Sequence, residues 1–161
     1  MTDNITLKGI IDEDFVNYKV PSMTLMFPYC NFKCGSDYCQ NSELANAGSI
    51  AINIDRLCTR YLKNNITRSI VCQGLEPFDS FEELMSLIYK IRVCYKCSDD
   101  IVIYTGYEEE EILAYIEELK KYENIIIKFG RYIPNQEKHK DEILGVYLAS
   151  DNQYAERIKH I

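Results

Sequence analysis

Short apolar runs alternate with longer helical patterns along this chain, and this alternation is the feature that most constrains its fold. Because strands buried on both faces of a parallel sheet are apolar at consecutive positions, each run predicts such a strand. The predicted core strands are residues 23–27, 69–72, 101–104, 125–127 and 146–148.

Helical periodicity separates these runs. In one segment Leu84, Leu87 and Ile91 recur at the spacing that puts side chains on one face of a helix. The predicted helices cover residues 55–64, 80–93, 108–121 and 152–159, and a further strand at 5–11 is expected at an edge of the sheet.

Regular strand–helix alternation predicts an α/β fold built from βαβ units around a parallel sheet of five or six strands. The 161 residues correspond to a single domain, 1–161. A complete eight-stranded barrel typically needs about 250 residues. The size therefore favours a partial, incomplete TIM-like barrel.

Charge and hydropathy exclude several classes of protein. The formal net charge of −7 and a pI near 4.9 argue against nucleic-acid binding, which needs a basic surface to neutralise phosphates. No apolar run approaches the roughly 18 residues that a membrane helix needs, and the first residues lack the pattern of an export signal. We therefore expect a cytoplasmic protein that binds neither nucleic acid nor a membrane.

Three of the seven cysteines, Cys30, Cys34 and Cys39, occur within ten residues, directly after the first core strand. Three close thiolates without a nearby histidine favour a soft metal centre. A structural zinc site would need a fourth protein ligand, which this loop does not supply. A 4Fe–4S cluster held by three cysteines leaves one iron open for a small molecule. The alternative is that the three thiols are incidental.

The other distinctive segments also follow predicted strands. In parallel α/β folds the functional residues gather at the carboxyl ends of the strands. These ends carry the cysteine loop and residues 73–77, 104–107, 129–131 and 150–153. The sequence therefore predicts one functional site at this edge of the sheet.

Two of these segments carry a family resemblance. Cys30 and Cys34 keep a Cys-x3-Cys spacing, and Tyr38 precedes Cys39, although four residues instead of two separate Cys34 from Cys39. The sequence Gly-Leu-Glu-Pro at 74–77 is similar to a Gly-Gly-Glu-Pro segment. In these features the chain resembles the radical S-adenosylmethionine family.

Further segments, together with the short length, narrow the resemblance to the activating proteins of anaerobic ribonucleotide reductases, over about residues 22–158. Phe129 stands where that group usually has an Asp, so a cofactor contact could pass to Lys128. The matching segments are Cys39-Gln40-Asn41, Tyr104-Thr105-Gly106-Tyr107, Gly130-Arg131-Tyr132 and Ser150-Asp151-Asn152-Gln153.

The resemblance implies a function and a set of site residues. Three cysteines would hold a 4Fe–4S cluster, and S-adenosylmethionine would be cleaved reductively to a 5′-deoxyadenosyl radical. That radical would generate a glycyl radical on a partner enzyme, with anaerobic ribonucleotide reductase as the first candidate, and a flavodoxin- or ferredoxin-type protein would donate the electron. The implied metal ligands are Cys30, Cys34 and Cys39, and the implied cofactor-binding residues are Tyr38, Gly74, Glu76, Pro77, Thr105, Gly106, Lys128 and Asn152.

Two alternatives remain open from the sequence. The radical chemistry could act on another glycyl-radical enzyme or on a peptide, or the chain could be a noncatalytic metal-binding interaction domain. Cys94 and Cys97 have the spacing of a metal or redox pair, but they follow a predicted helix, and we expect incidental thiols there.

Overall fold

The computed structural model describes residues 1–30 and 48–161. Three of the predicted site residues, Cys34, Tyr38 and Cys39, lie outside the described residues. The described strands, in chain order, are β1 (Asn4–Leu7), β2 (Gly9–Asp14), β3 (Ser22–Phe27), β4 (Ile50–Asn53), β5 (Ser69–Gly74), β6 (Asp100–Tyr104), β7 (Ile125–Phe129), β8 (His139–Asp141), β9 (Val146–Leu148) and β10 (Tyr154–Arg157).

The described α-helices are α1 (Ile54–Lys63), α2 (Phe81–Tyr89) and α3 (Leu113–Leu119). Short 3₁₀ turns at Pro77–Ser80 and Glu109–Glu111 precede α2 and α3, and a π turn at Lys90–Cys94 extends α2. None of the helices in the described ranges is long and apolar enough to cross a membrane.

A mixed six-stranded sheet forms the centre of the described fold, in the order β10–β7–β6–β5–β3–β2. The four inner strands β3, β5, β6 and β7 are parallel to one another. The edge strands β2 and β10 run antiparallel to their neighbours. The parallel strands therefore end together at one edge, as the sequence predicts.

The three described helices pack on one face of this sheet. Alternate residues of the inner strands, such as Cys72, Ile103 and Ile127, share a buried core with Leu57 and Leu87 of α1 and α2. This arrangement follows from the strand pleat, because residues i and i+2 of a strand face the same side.

The opposite face has a smaller apolar core, covered by a hairpin instead of a helix. Val71, Val102 and Ile126 pack there with Tyr18 and Leu144. Leu144 lies in the turn between β8 and β9, which form a separate two-stranded sheet. The hairpin thus closes the face that the helices leave open.

Most of the predicted elements are confirmed, since four of the five core strands and the first three helices lie where expected. The predicted edge strand at 5–11 is divided into two strands. Of these, β2 is the sheet edge, and β1 pairs with β4 in a separate two-stranded sheet. Curvature of the sheet into a partial barrel stays a prediction.

Two predicted elements are wrong. Residues 146–148 form a hairpin strand and not a core strand, because Gly145, at φ +72°, allows a tight turn back onto β8. Residues 152–159 contain β10 and no helix. Strand β10 pairs with β7, whose edge would otherwise leave backbone hydrogen-bonding groups unpaired, and Tyr154 packs on Phe129.

Candidate functional site

A cavity of about 500 Å³ lies at the carboxyl ends of the parallel strands. Its volume falls within the range of roughly 300–1,000 Å³ that is usual for small-molecule sites. Its lining includes Cys30, Gln73, Gly74, Glu76, Tyr104, Thr105, Gly106, Lys128, Gly130, Arg131 and Gln153. The structure therefore brings together residues from every predicted strand end.

Glu76 is the carboxylate of this cavity, and it is almost fully buried, with 4% of its surface exposed. It caps the 3₁₀ turn before α2, since its Oε2 accepts a hydrogen bond from the Phe78 amide at 3.1 Å. Its Oε1 accepts one from the Gly106 amide at 2.8 Å. The Thr105 hydroxyl lies 2.9 Å from both carboxylate oxygens.

These donors do not fill every hydrogen-bond acceptor position of the Glu76 carboxylate. The Thr105 hydroxyl has one proton and can bond only one of the two oxygens at a time. Three hydrogen bonds at once leave about one of the four acceptor positions of a carboxylate open. A cationic donor in the cavity could occupy that position.

Burial raises the pKa of Glu76 to about 7, and the hydrogen bonds from Gly106, Phe78 and Thr105 oppose this rise. Near neutral pH the ligand-free carboxyl group is therefore only partly ionised. An ammonium group beside it would favour the charged form, because an opposite charge stabilises a carboxylate.

Gly74 is required by the backbone conformation at the end of β5. Its φ is +91°, and a Cβ at this position would lie 2.5 Å from the Phe27 amide nitrogen. The residue lets the end of β5 pass close to β3, in addition to lining the cavity. In contrast, a Cβ on Gly106 would be 3.6 Å from its nearest neighbour, the Arg131 Cγ.

Lys128 brings a buried cation to the same cavity. Its Nζ donates to the Gly130 carbonyl at 3.0 Å and lies 5.7 Å from the centre of the Tyr104 ring. Burial lowers its pKa to about 8, although the Glu76 carboxylate favours the charged form. Its neighbour Phe129 packs in the apolar core between the sheet and the helices (the helix-side core), whereas Lys128 lines the cavity.

Two predicted cofactor-binding residues do not line the cavity. Pro77 is buried in the first position of the 3₁₀ turn. Asn152 uses its side chain internally, donating to the Arg131 carbonyl at 2.9 Å and accepting from the Ser150 hydroxyl at 2.6 Å. Gln153 reaches the cavity instead, and its amide donates to the Gly130 carbonyl.

Sequence analysis missed two parts of the lining. Val16 and Asn17 come from the turn after β2, and Tyr147 and Leu148 come from the hairpin. The turn could have been predicted from Asp14, because an Asp at the start of a turn commonly accepts hydrogen bonds from the following amides. Here Asp14 accepts from the amides of Val16 and Asn17. The hairpin had no such signal.

Cys30 is half-buried at the wall of this cavity, directly after β3. Cys34 and Cys39 follow within the same short loop of sequence, outside the described residues. Within residues 1–30 and 48–161, no group of three or more His, Cys, Asp or Glu side chains could hold a metal. Cys30 borders the cavity, and a cluster held by Cys30, Cys34 and Cys39, whose thiolates suit iron and sulfide, stays a prediction.

Comparison with known proteins indicates an iron–sulfur protein. Residues 21–154 match the family model described as a 4Fe-4S single cluster domain. The matched range includes the three cysteines and all the strand ends that line the cavity. None of the curated proteins compared with the chain matches it. The match covers most of the chain, which therefore belongs to the 4Fe-4S single cluster domain family.

Proposed function

We propose that this 4Fe–4S protein is a radical S-adenosylmethionine enzyme that generates a glycyl radical on a partner enzyme, with anaerobic ribonucleotide reductase as the first candidate partner. Cys30, Cys34 and Cys39 would hold the cluster. When both groups are bound, the reduced cluster supplies one electron that splits S-adenosylmethionine into methionine and a 5′-deoxyadenosyl radical, which takes a hydrogen atom from the partner's glycine.

One observation carries the proposal: a buried carboxylate with a spare acceptor position lines the cavity that Cys30 borders. Glu76 is held by donors from two separate segments, Phe78 on one side and Thr105 with Gly106 on the other. It therefore keeps its orientation without a ligand, and it can accept a hydrogen bond from the ammonium group of the methionyl moiety. The motifs that resemble the activating proteins support the choice of partner.

The first test is anaerobic reconstitution of the cluster, followed by reduction in the presence of S-adenosylmethionine. We expect 5′-deoxyadenosine and methionine in equal amounts. Absence of 5′-deoxyadenosine from a sample with a full 4Fe–4S complement would contradict the enzymatic proposal. Addition of a purified anaerobic ribonucleotide reductase should then produce a glycyl-radical signal in electron paramagnetic resonance, and another glycyl-radical enzyme serves as the comparison.

The second test is Glu76→Gln, with Glu82→Gln on the exposed surface of α2 as its matched control. A charge-assisted hydrogen bond contributes roughly 1.5–3 kcal/mol, which corresponds to a ten- to hundredfold change in affinity. We expect normal iron content and S-adenosylmethionine binding weakened by that factor in Glu76→Gln, and wild-type values in Glu82→Gln. Loss of the cluster in Glu76→Gln would contradict a role in cofactor binding alone.

The structure adds one expectation for this variant. The Gln amide group must face either the Phe78 or the Gly106 amide, so one N–H donor loses its acceptor. A cost of about 1 kcal/mol in the free energy of unfolding should accompany the loss of binding. Affinity is therefore measured on folded, cluster-loaded protein.

A further inference from the structure

Exposed apolar side chains stand at the mouth of the cavity. Val16 has 75% of its surface exposed and Tyr147 has 70%, and both line the cavity. Phe15, directly before Val16, is 64% exposed. In the described part of the chain, the only large apolar side chains that match Val16 and Tyr147 in exposure belong to Met1 and Ile161, the first and last residues. Exposed apolar surface that is grouped in this way is typical of an interaction site. We call Phe15, Val16 and Tyr147 the apolar rim.

The two segments that carry the apolar rim are fixed to each other. The Asp14 carboxylate accepts a hydrogen bond from the Val16 amide at 2.8 Å, which orders the turn after β2. The Lys19 amide donates to the Leu144 carbonyl at 2.8 Å, and a Cβ on Gly145 would lie only 2.7 Å from the Lys19 Cβ. The turn and the hairpin therefore form one unit. A partner that binds there avoids the entropy cost of ordering a loop.

The size of the cavity limits what can enter it. Its volume of about 500 Å³ is in the range that one drug-sized ligand fills. Under the proposed function that ligand is S-adenosylmethionine, so a protein substrate cannot bring a folded surface inside. Only a narrow piece of main chain can approach the reacting carbon. Glycine suits this approach because it has no side chain. The side chains on either side of that glycine must stay at the mouth, where the apolar rim lies.

The chemistry also requires that the mouth be covered. Closing an active site protects a reactive intermediate from side reactions, and burial of apolar surface favours the closed state. Val16 and Tyr147 belong to the cavity lining, but Phe15 does not. A cover that buries all three side chains must therefore extend beyond the cavity, as a protein segment does and a second small molecule does not.

We propose that the apolar rim is the docking surface for the glycine-containing segment of the partner enzyme. The segment lies across the mouth with apolar side chains against the rim, and its glycine main chain enters the cavity. One Cα–H bond of that glycine breaks and one C–H bond forms at the 5′ carbon. One glycyl radical and one 5′-deoxyadenosine therefore arise for each electron that the cluster supplies. This inference rests on the proposed function and adds the surface by which the chain binds its partner.

Phe15→Ser tests this surface, because Phe15 lies outside the cavity lining. The matched control is Ile66→Ser. Ile66 is 48% exposed and precedes β5, so it lies at the edge of the sheet opposite to the cavity. Each cluster-loaded protein is titrated with purified anaerobic ribonucleotide reductase, and the glycyl radical is measured by electron paramagnetic resonance. Cleavage of S-adenosylmethionine without the reductase is measured in parallel.

We expect Phe15→Ser to raise the half-saturating concentration of reductase by roughly tenfold, as loss of an aromatic contact at an interface commonly does. Cleavage of S-adenosylmethionine without the reductase should be unchanged. Ile66→Ser should behave as wild type in both assays. In a second measurement, p-benzoylphenylalanine in place of Tyr147 should cross-link to the reductase peptide that contains the radical glycine, whereas the same group in place of Ile66 should not.

Three results would overturn the inference alone. The first is an unchanged half-saturating concentration in Phe15→Ser, and the second is a cross-link from position 147 to a part of the reductase far from the glycine. The third is a cross-link between two copies of this chain, with a lower sedimenting mass for Phe15→Ser than for wild type, which would assign the rim to self-association.

Two further results concern the cofactor and the partner. Slower cleavage by Phe15→Ser without the reductase would assign Phe15 to the cofactor site and overturn the docking role. Wild-type protein that cleaves S-adenosylmethionine but leaves the reductase without a radical would overturn this inference and the choice of partner. Failure of wild type to cleave S-adenosylmethionine, with its cluster intact, would overturn the proposed function itself. The reductase-free assay therefore distinguishes the two failures.

Discussion

The two faces of the six-stranded sheet are made by the same strands but have different compositions. On the helix side, the inner strands are apolar along their whole length, from Ile101 to Ile103 on β6 and from Ile125 to Phe129 on β7. On the hairpin side, β5 and β7 change from an apolar to a polar residue toward the cavity, with Val71 followed by Gln73 and Ile126 followed by Lys128.

This difference separates the structural and functional roles of neighbouring residues. Cys72 faces the helix-side core, where burial raises the pKa of its thiol to about 12 and keeps it protonated. Its neighbour Gln73 lines the cavity. Apolar packing on one face thus supports a polar site at the end of the other, and substitutions on the two faces should have different consequences.

The largest expected effect is loss of the cluster. Cys30→Ala, at the cavity wall, should abolish stable 4Fe–4S incorporation, and Cys34→Ala and Cys39→Ala should do the same. Iron and sulfide content and the visible absorbance of the reconstituted protein provide the measurement. Cys94→Ala and Cys97→Ala should retain full iron content, and iron loss in either variant would show that the cluster loop is not the complete ligand set.

The next largest effect is on the helix side. Ile103 is fully buried there, and Ile103→Ala should lower the free energy of unfolding by about 2–5 kcal/mol through lost apolar contact and a cavity. Urea denaturation measures this change. Affinity for S-adenosylmethionine in the folded fraction should stay within about twofold of wild type, since a substitution that touches no ligand group removes no binding contact. A larger loss of affinity would show that the two faces are coupled.

Glu76 should produce a pH dependence that the helix-side core lacks. Its pKa rises from 4.5 to about 7 on folding, so the folded protein holds this proton more tightly than the unfolded chain. The resulting stabilisation is fully present below about pH 4.5 and is lost as pH rises through 7, a change of about 3 kcal/mol at roughly 1.4 kcal/mol per unit.

The measurement for this prediction is urea denaturation of ligand-free protein between pH 5 and 8. The stability of Glu76→Gln should decline less over this interval than that of wild type, because Gln does not titrate. Equal slopes for the two proteins would contradict the raised pKa of Glu76.

The smallest effect should come from Tyr104, at the cavity end of β6. Its hydroxyl donates to the Asn17 carbonyl and ties the turn after β2 to the sheet. Tyr104→Phe removes this bond and should cost about 1 kcal/mol. Hydrogen exchange should become faster in residues 14–17 and stay unchanged in α1, whereas faster exchange in both would indicate a global loss of stability.

Sequence periodicity was sufficient for most of the sheet because its inner strands are buried on both faces. The runs around Val71, Val102 and Ile126 are apolar at consecutive positions for that reason. The sequence pattern gave the wrong prediction for the last two elements, at residues 146–148 and 152–159. Tyr147 is 70% exposed, so an apolar run there did not mean burial, and β10 is a strand because β7 has a free edge to pair with.

The candidate site was predictable where a strand end carried a distinctive motif. Gly74, Glu76, Thr105 and Gly106 were all expected at one edge, and they line one cavity. Asn152 could not be distinguished from Gln153 by sequence, because both are amides and only the turn geometry decides which one reaches the cavity. The hydrogen bonds that orient Glu76 depend on a contact between separate βα loops, which no local pattern encodes.

The hairpin of β8 and β9 has a consequence for the order in which the molecule folds. The βαβ units join segments that are close in sequence, whereas the hairpin turn bonds to the start of the chain, with the Lys19 amide donating to the Leu144 carbonyl at 2.8 Å. Contacts between distant segments form late, because closing a long loop costs more entropy. Since Tyr147 and Leu148 complete the cavity wall, we expect the chain to bind a ligand only after the hairpin has packed onto the sheet. A bound ligand should therefore stabilise the state with the hairpin packed over the state with the hairpin detached.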